Sequence, residues 1–369
     1  MKGRFSAVTD FELRYKRIWM FPLCAVLASL IAAACFYVTV SMNGIGINIS
    51  IFRLCGIYGG AFSAFIAVIG CFFGARASAF LGEPEKRELM LSLPVGRLHI
   101  IFASALGQMI MMLATLFVAC AALLILDICV YGNVSETLGC FWSFALTALT
   151  ELLLYFSVGL FAGTVSEEYA PMTVLCVSFW LTRAAVRAML SVKAVRVENS
   201  WIINSYTRKS RLAFYPLTPN GMWASFEQQR LMAFIVSLGV AFFIAALAVV
   251  ALKYGRLERK KRGYHSSAVA CAVKVSVMIS VFFLATVFFN DNIVYVIRMF
   301  TELSVYPVLQ VFEENAVLYY CVGSSLVAFL VTSMLTVNLR EVVRDAALLP
   351  VYALLSAVAG KLIIAYCFW

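Results

Sequence analysis

Two carboxylates stand inside long apolar runs of this chain of 369 residues, Asp127 and Glu151. An ionisable group within a membrane helix is costly enough to be a functional candidate by default. Asp127 falls near the outer end of its run, whereas Glu151 falls near the middle of its own and suits either a polar translocation path or an interhelical hydrogen bond. A lone carboxylate does not make a proton relay, and a secondary transporter more often shows paired charges or broken helices in matching halves. The remaining chemistry is sparse. Gly360-Lys361 lacks the earlier glycine and the following hydroxyl of a phosphate-binding loop, so the chain is not expected to hydrolyse ATP itself. Neither an H-E-x-x-H nor a G-x-S-x-G occurs, and Glu167-Glu168 has no basic partner at a useful helical spacing and reads as a polar turn. The eleven Cys include no C-x-x-C pair, and the two His, His99 and His265, sit at segment boundaries. No catalytic, metal or cofactor-binding residue is therefore assigned.

A different kind of chemistry, recognition of a partner, is suggested by the charged stretch Glu83-Pro84-Glu85-Lys86-Arg87-Glu88-Leu89-Met90-Leu91-Ser92-Leu93-Pro94-Val95-Gly96-Arg97. Pro84 suits a first helical turn, Glu83 and Glu85 oppose the positive end of the helix dipole, and Pro94 turns Leu93 out of the helix. A helix over about residues 84-92 is predicted. Glu85, Glu88 and Ser92 share one face, while Leu89, Met90 and Leu93 share another into which Lys86 intrudes. So imperfect an apolar face does not belong to a core helix, although charged loops between membrane spans are ordinary.

The elements that must carry these residues are membrane helices. Apolar residues make up 63% of the chain and charged residues 13%, against about 25% charged in a soluble domain. Runs longer than the roughly 20 residues that cross a bilayer recur, without the alternation of a membrane barrel. The expected fold is all-α and polytopic, with about 8-9 spans at 18-41, 54-75, 100-130, 138-163, 170-190, 230-252, 267-289, 316-337 and 346-366. Pro350 and Lys361 interrupt the last.

The net charge of +10 argues for orientation rather than nucleic acid, because Lys and Arg cluster at the ends of apolar runs and not on one basic face. A cytoplasmic N-terminus leaves Arg14, Lys16, Arg17, Arg76, Lys86, Arg87, Arg97 and the Arg256–Arg262 cluster inside. Arg183, Arg187, Lys193, Arg196, Arg208, Lys209, Arg211 and Arg230 then lie on or near the outer side, where they suit interfacial snorkelling or lipid phosphates. Residues 1-17 read as an interfacial segment and 254-266 as a basic linker, with 267-369 forming additional C-terminal spans. Gly56, Gly60, Gly70 and Gly74 in span two have the spacing that lets helices approach closely.

The run Glu88-Leu89-Met90-Leu91-Ser92-Leu93-Pro94-Val95-Gly96-Arg97, between the second and third spans, resembles the E-x-L-L-x-L-P-V-S-R loop of ABC-2 type ABC transporter permeases. Gly96 stands where that family has Ser. Tyr215-Pro216-Leu217-Thr218-Pro219, ahead of the sixth span, resembles the family's L-S-P element, and the basic stretch after residue 254 with further spans is similar to the larger permeases of Gram-positive bacteria. The resemblance covers about residues 10-255 and implies a six-helix bundle over 18-253. It also implies a short cytoplasmic coupling helix that docks on a separate ATPase subunit through Glu85, Glu88, Leu89, Leu93, Pro94 and Arg97.

On that resemblance the chain is the permease subunit of an exporter in a bacterial plasma membrane. Its partners are ABC ATPase subunits holding ATP and Mg, a second permease subunit of the same or a related kind, and membrane lipid. Two other readings stay open on the residues alone. One is a membrane-embedded enzyme acting on lipid or peptide; the other is a non-transporting sensor or assembly subunit.

Overall fold

The computed structural model describes residues 52, 59–78, 96–131, 134–166, 171–183, 230–254 and 267–288, with single positions at 343, 347, 350, 351 and 354. Its elements are helices: α1 (Gly59–Ser78), α2 (Arg97–Tyr131), α3 (Val134–Val165), α4 (Arg230–Tyr254) and α5 (Ser267–Phe288), with residues 171–183 also helical. Three stretches, Leu98–Cys129, Val134–Val165 and Phe234–Lys253, are long and apolar enough to cross a membrane. The protein is thus α-helical and membrane-embedded. In hydrocarbon no water satisfies the main chain, so each segment bonds its own amides and carbonyls. Several hydroxyls follow the same rule: Thr115, Thr147 and Thr150 donate to the carbonyls of Met111, Ser143 and Leu146, four residues back.

Where predicted spans fall on described residues, helices occupy them. The run expected at 100-130 is α2, which starts at Arg97 because the Gly96 carbonyl accepts the amides of His99 and Ile100 and so caps the helix. The run expected at 138-163 is α3, and 230-252 is α4. In the last predicted span, Ala347, Pro350, Val351 and Leu354 are helical and exposed. The expected spans 18-41 and 316-337 lie outside the described residues.

The chain forms two compact units, Met1–Glu167 with Met222–Arg256, and Glu168–Gly221 with Leu257–Trp369. Among the described helices of the first unit α3 is central: it packs most extensively on α1, then on α4, and more lightly on α2. The 32 residues of α3 rise about 48 Å, more than the roughly 30 Å hydrocarbon layer requires. Its first half keeps an outward stripe, Leu138, Trp142 and Leu146, as a lipid-facing helix does. Beyond Leu146 no residue of α3 is exposed. Phe52 closes the stripe-bearing half, its ring 5.5 Å from that of Phe141 and 5.2 Å from that of Phe144.

The second unit joins residues 171–183 to α5 through hydroxyls. Thr182 Oγ1 lies 2.6 Å from Ser276 Oγ and 2.9 Å from Ser280 Oγ. It donates to the Ser178 carbonyl at 2.7 Å, and Ser280 donates to the Ser276 carbonyl at 2.7 Å. One proton per hydroxyl then leaves Ser276 to donate across to Thr182.

Candidate functional site

Glu151 lies on α3 with no surface exposed. Its level is fixed by the crossing of α1 over α3. A methyl group placed on Gly70 would lie 2.8 Å from Tyr155 Cβ, 3.0 Å from the Leu152 carbonyl oxygen and 3.1 Å from the Phe156 nitrogen. One turn on, a methyl on Gly74 would strike the Phe156 carbonyl oxygen and lie 2.7 Å from the Leu160 nitrogen. The contact is reciprocal: a methyl on Gly159 would meet the Cys71 carbonyl oxygen and lie 2.8 Å from Cys71 Cα and 2.9 Å from the Ala75 nitrogen. One on Gly163 would meet Ser78 Oγ and lie 3.0 Å from the Ala75 carbonyl oxygen. Two G-x-x-x-G pairs therefore interleave, and only hydrogen side chains allow main chain to touch main chain.

Partner numbers rise together along both helices, from Gly70 against Leu152 to Ser78 against Gly163, so α1 and α3 run parallel. This is the relation the second and fourth spans must have if the chain crosses the membrane at each span. Glu151 sits about 100° around α3 from Leu152, on the flank of this seam and within the part of the helix that protein covers. Asp127 is likewise buried without exposed surface, in the last turns of α2.

The glycines expected to form a packing face separate into three groups. Gly70 and Gly74 are at the seam, Gly60 is helical within α1, and Gly56 lies outside the described residues. Of the expected ATPase contacts, Arg97 is the first residue of α2, and Glu85, Glu88, Leu89, Leu93 and Pro94 lie outside the described residues. Glu167 and Glu168 lie outside them too.

Sequence reasoning passed over Gly159 and Gly163, which were legible as small residues four apart in the fourth span. It also passed over Lys274, a lone cation in the seventh expected span. Lys274 is buried, as is Arg183, which belongs to the basic group expected on or near the outer side. Ser178 and Thr182, like Ser276 and Ser280, are hydroxyl residues four apart, and that spacing was the available sign that these two helices meet. No three His, Cys, Asp or Glu side chains gather into a metal-binding group among the described residues. Compared with family models, with curated proteins and with solved structures, the chain matches none.

Proposed function

We propose that this chain is the membrane subunit of an ABC transporter, of the ABC-2 kind and working as an exporter, in which separate ATPase subunits push on a coupling helix at residues 83-97. The observation that carries the reading is the E-L-M-L-S-L-P-V-G-R run at residues 88–97. Its setting supports it. The run ends at the capped start of α2, which follows α1 in the chain and packs against it, so a push on this connection bears on two packed helices. The bundle over 18-253, the N-terminus and residues 79–95 on the cytoplasmic side, a plasma-membrane location and a second permease subunit belong to the same proposal. Glu151 is the candidate residue of the translocation path, since a buried carboxylate near mid-helix is retained against its cost for function or for a specific bond.

The test is affinity purification of the full chain from native membranes with its ATP-hydrolysing partner, detected by photo-crosslinking to an azido-ATP. Glu88→Arg and Leu93→Asp should each weaken association by about tenfold or more, as expected for a reversed charge and a buried polar group at a contact. Retained association in both variants, with the chain folded, would remove the coupling assignment. Reconstituted ATP-dependent substrate movement separates transport from a sensing or assembly role. Within a working transporter, Glu151→Gln should lower transport while leaving stability within about 1 kcal/mol, because the amide keeps shape and hydrogen-bonding capacity.

A further inference from the structure

We infer that α1 and α3 move as one rigid strut, with Gly70, Gly74, Gly159 and Gly163 as positioning residues that tie the level of Glu151 to the end of α1 at Ser78; this rests on the transporter reading above. The atoms facing Gly74 and Gly159 are all main-chain atoms of the opposite helix, and Gly70 and Gly163 each face main chain as well as one side chain. Side chains yield by changing rotamer, whereas a helical main chain yields only by moving the whole helix. A slide of one residue, about 1.5 Å, would bring the side chains that flank each glycine toward main chain that now meets only hydrogen. The seam therefore resists sliding over its whole length from Gly70 to Ser78, about 12 Å of rise.

The rest of the unit shows that this is a local property. Gly139 on α3 and Gly239 on α4 have no neighbouring atom within 4 Å of an added methyl, and α2 lies on α3 far more lightly than α1 does. Displacement delivered where α1 ends thus reaches α3 and Glu151 through the seam, while α2 packs more lightly on both helices.

The test uses the full chain with its ATPase partner in proteoliposomes and the double variant Ser78→Cys with Gly163→Cys. A Cβ at position 163 lies 3.2 Å from Ser78 Cβ, a few tenths of an ångström short of the roughly 3.5–4.5 Å usual for a disulfide, so the bond closes with a small outward adjustment of the two helices. Oxidation should close the bond, read by peptide mass, and leave stimulation of the partner's ATP hydrolysis within about twofold of the reduced sample, a difference of about 0.4 kcal/mol. A roughly tenfold loss on oxidation that dithiothreitol reverses, in a variant that still binds the ATPase, would overturn the strut. Wild type under the same oxidant controls for the native cysteines.

Should the double variant not fold, spin labels on non-canonical amino acids at Phe72 and Leu146, both exposed and clear of the seam, give the same answer. Their separation should change by less than about 2 Å between nucleotide-free and vanadate-trapped complexes, and a shift approaching one helical turn, about 5.4 Å, would overturn it. Failure of the wild-type chain to bind an ATPase would instead bring down the transporter reading and the strut with it.

Discussion

Two helix pairs in this protein solve the same problem in opposite ways. In the first unit α1 and α3 meet where side chains are missing, at Gly70, Gly74, Gly159 and Gly163. In the second unit residues 171–183 and α5 meet where polar side chains are present, at Thr182, Ser276 and Ser280. Within lipid there is little hydrophobic gain from hiding one apolar helix against another, so close packing and interhelical hydrogen bonds must supply the attraction. Glycine gives many weak contacts spread along two turns; the hydroxyls give a few directional bonds at one point. Among the described residues the buried acidic and basic side chains also divide: Asp127 and Glu151 lie in the first unit, Arg183 and Lys274 in the second. A seam of main-chain contacts suits transmission of force, whereas a hydroxyl junction can exchange partners at small cost.

The comparison can be broken most severely at the seam. Gly159→Leu places a branched side chain against Cys71 and Ala75 main chain and should cost about 3 kcal/mol or more, beyond the usual range for overpacking. Loss of the monodisperse folded species in detergent chromatography would register it, and an unchanged melting temperature would mean the helices do not touch. Gly74→Ala is the finer probe: alanine is favoured over glycine by about 1 kcal/mol in a helix, yet the clash with Phe156 should make the variant less stable by about 1–3 kcal/mol.

The hydroxyl junction should break more gently. Thr182→Val keeps shape and removes the bond that Ser276 donates to Thr182 and the polar contact with Ser280, for an expected loss of about 0.6 kcal/mol and at most about 1.7, the range of such bonds in a membrane bundle. Denaturation in mixed micelles would measure it, and a loss larger than that of Gly74→Ala would reverse the ranking of the two contacts. The smallest effect, of opposite sign, belongs to Gly239→Ala, where open space leaves only the helix preference and stability should rise by a few tenths to about 1 kcal/mol. A fall there would mean that α4 carries a second close contact.

Much of this architecture was legible before any coordinates. Predicted and observed ends of α2 differ by three residues at the start and one at the end, since Gly96 caps the helix ahead of the apolar run. Gly70 and Gly74 stood out by spacing, and Glu151 by being charged in an apolar run. What was missed shares a cause. Gly159, Gly163, Thr182 and Lys274 matter through a partner on another helix, and a small or hydroxyl residue in a membrane helix is too common to announce its partner.

The sequence by itself determined that this chain is helical and membrane-embedded. Hydrocarbon thickness and the need to satisfy every backbone amide act on each segment separately, so an apolar run specifies its own helix. It also marked the charged run at 83-97 and the buried Glu151 as places to look. Only the tertiary structure decided that α3 is the helix around which the first unit packs, that α1 lies parallel to it in main-chain contact, and that Thr182 meets α5. The physical reason is that lipid-facing and helix-facing residues are equally apolar. Hydropathy therefore fixes where a helix is and leaves open which of its faces another helix will find.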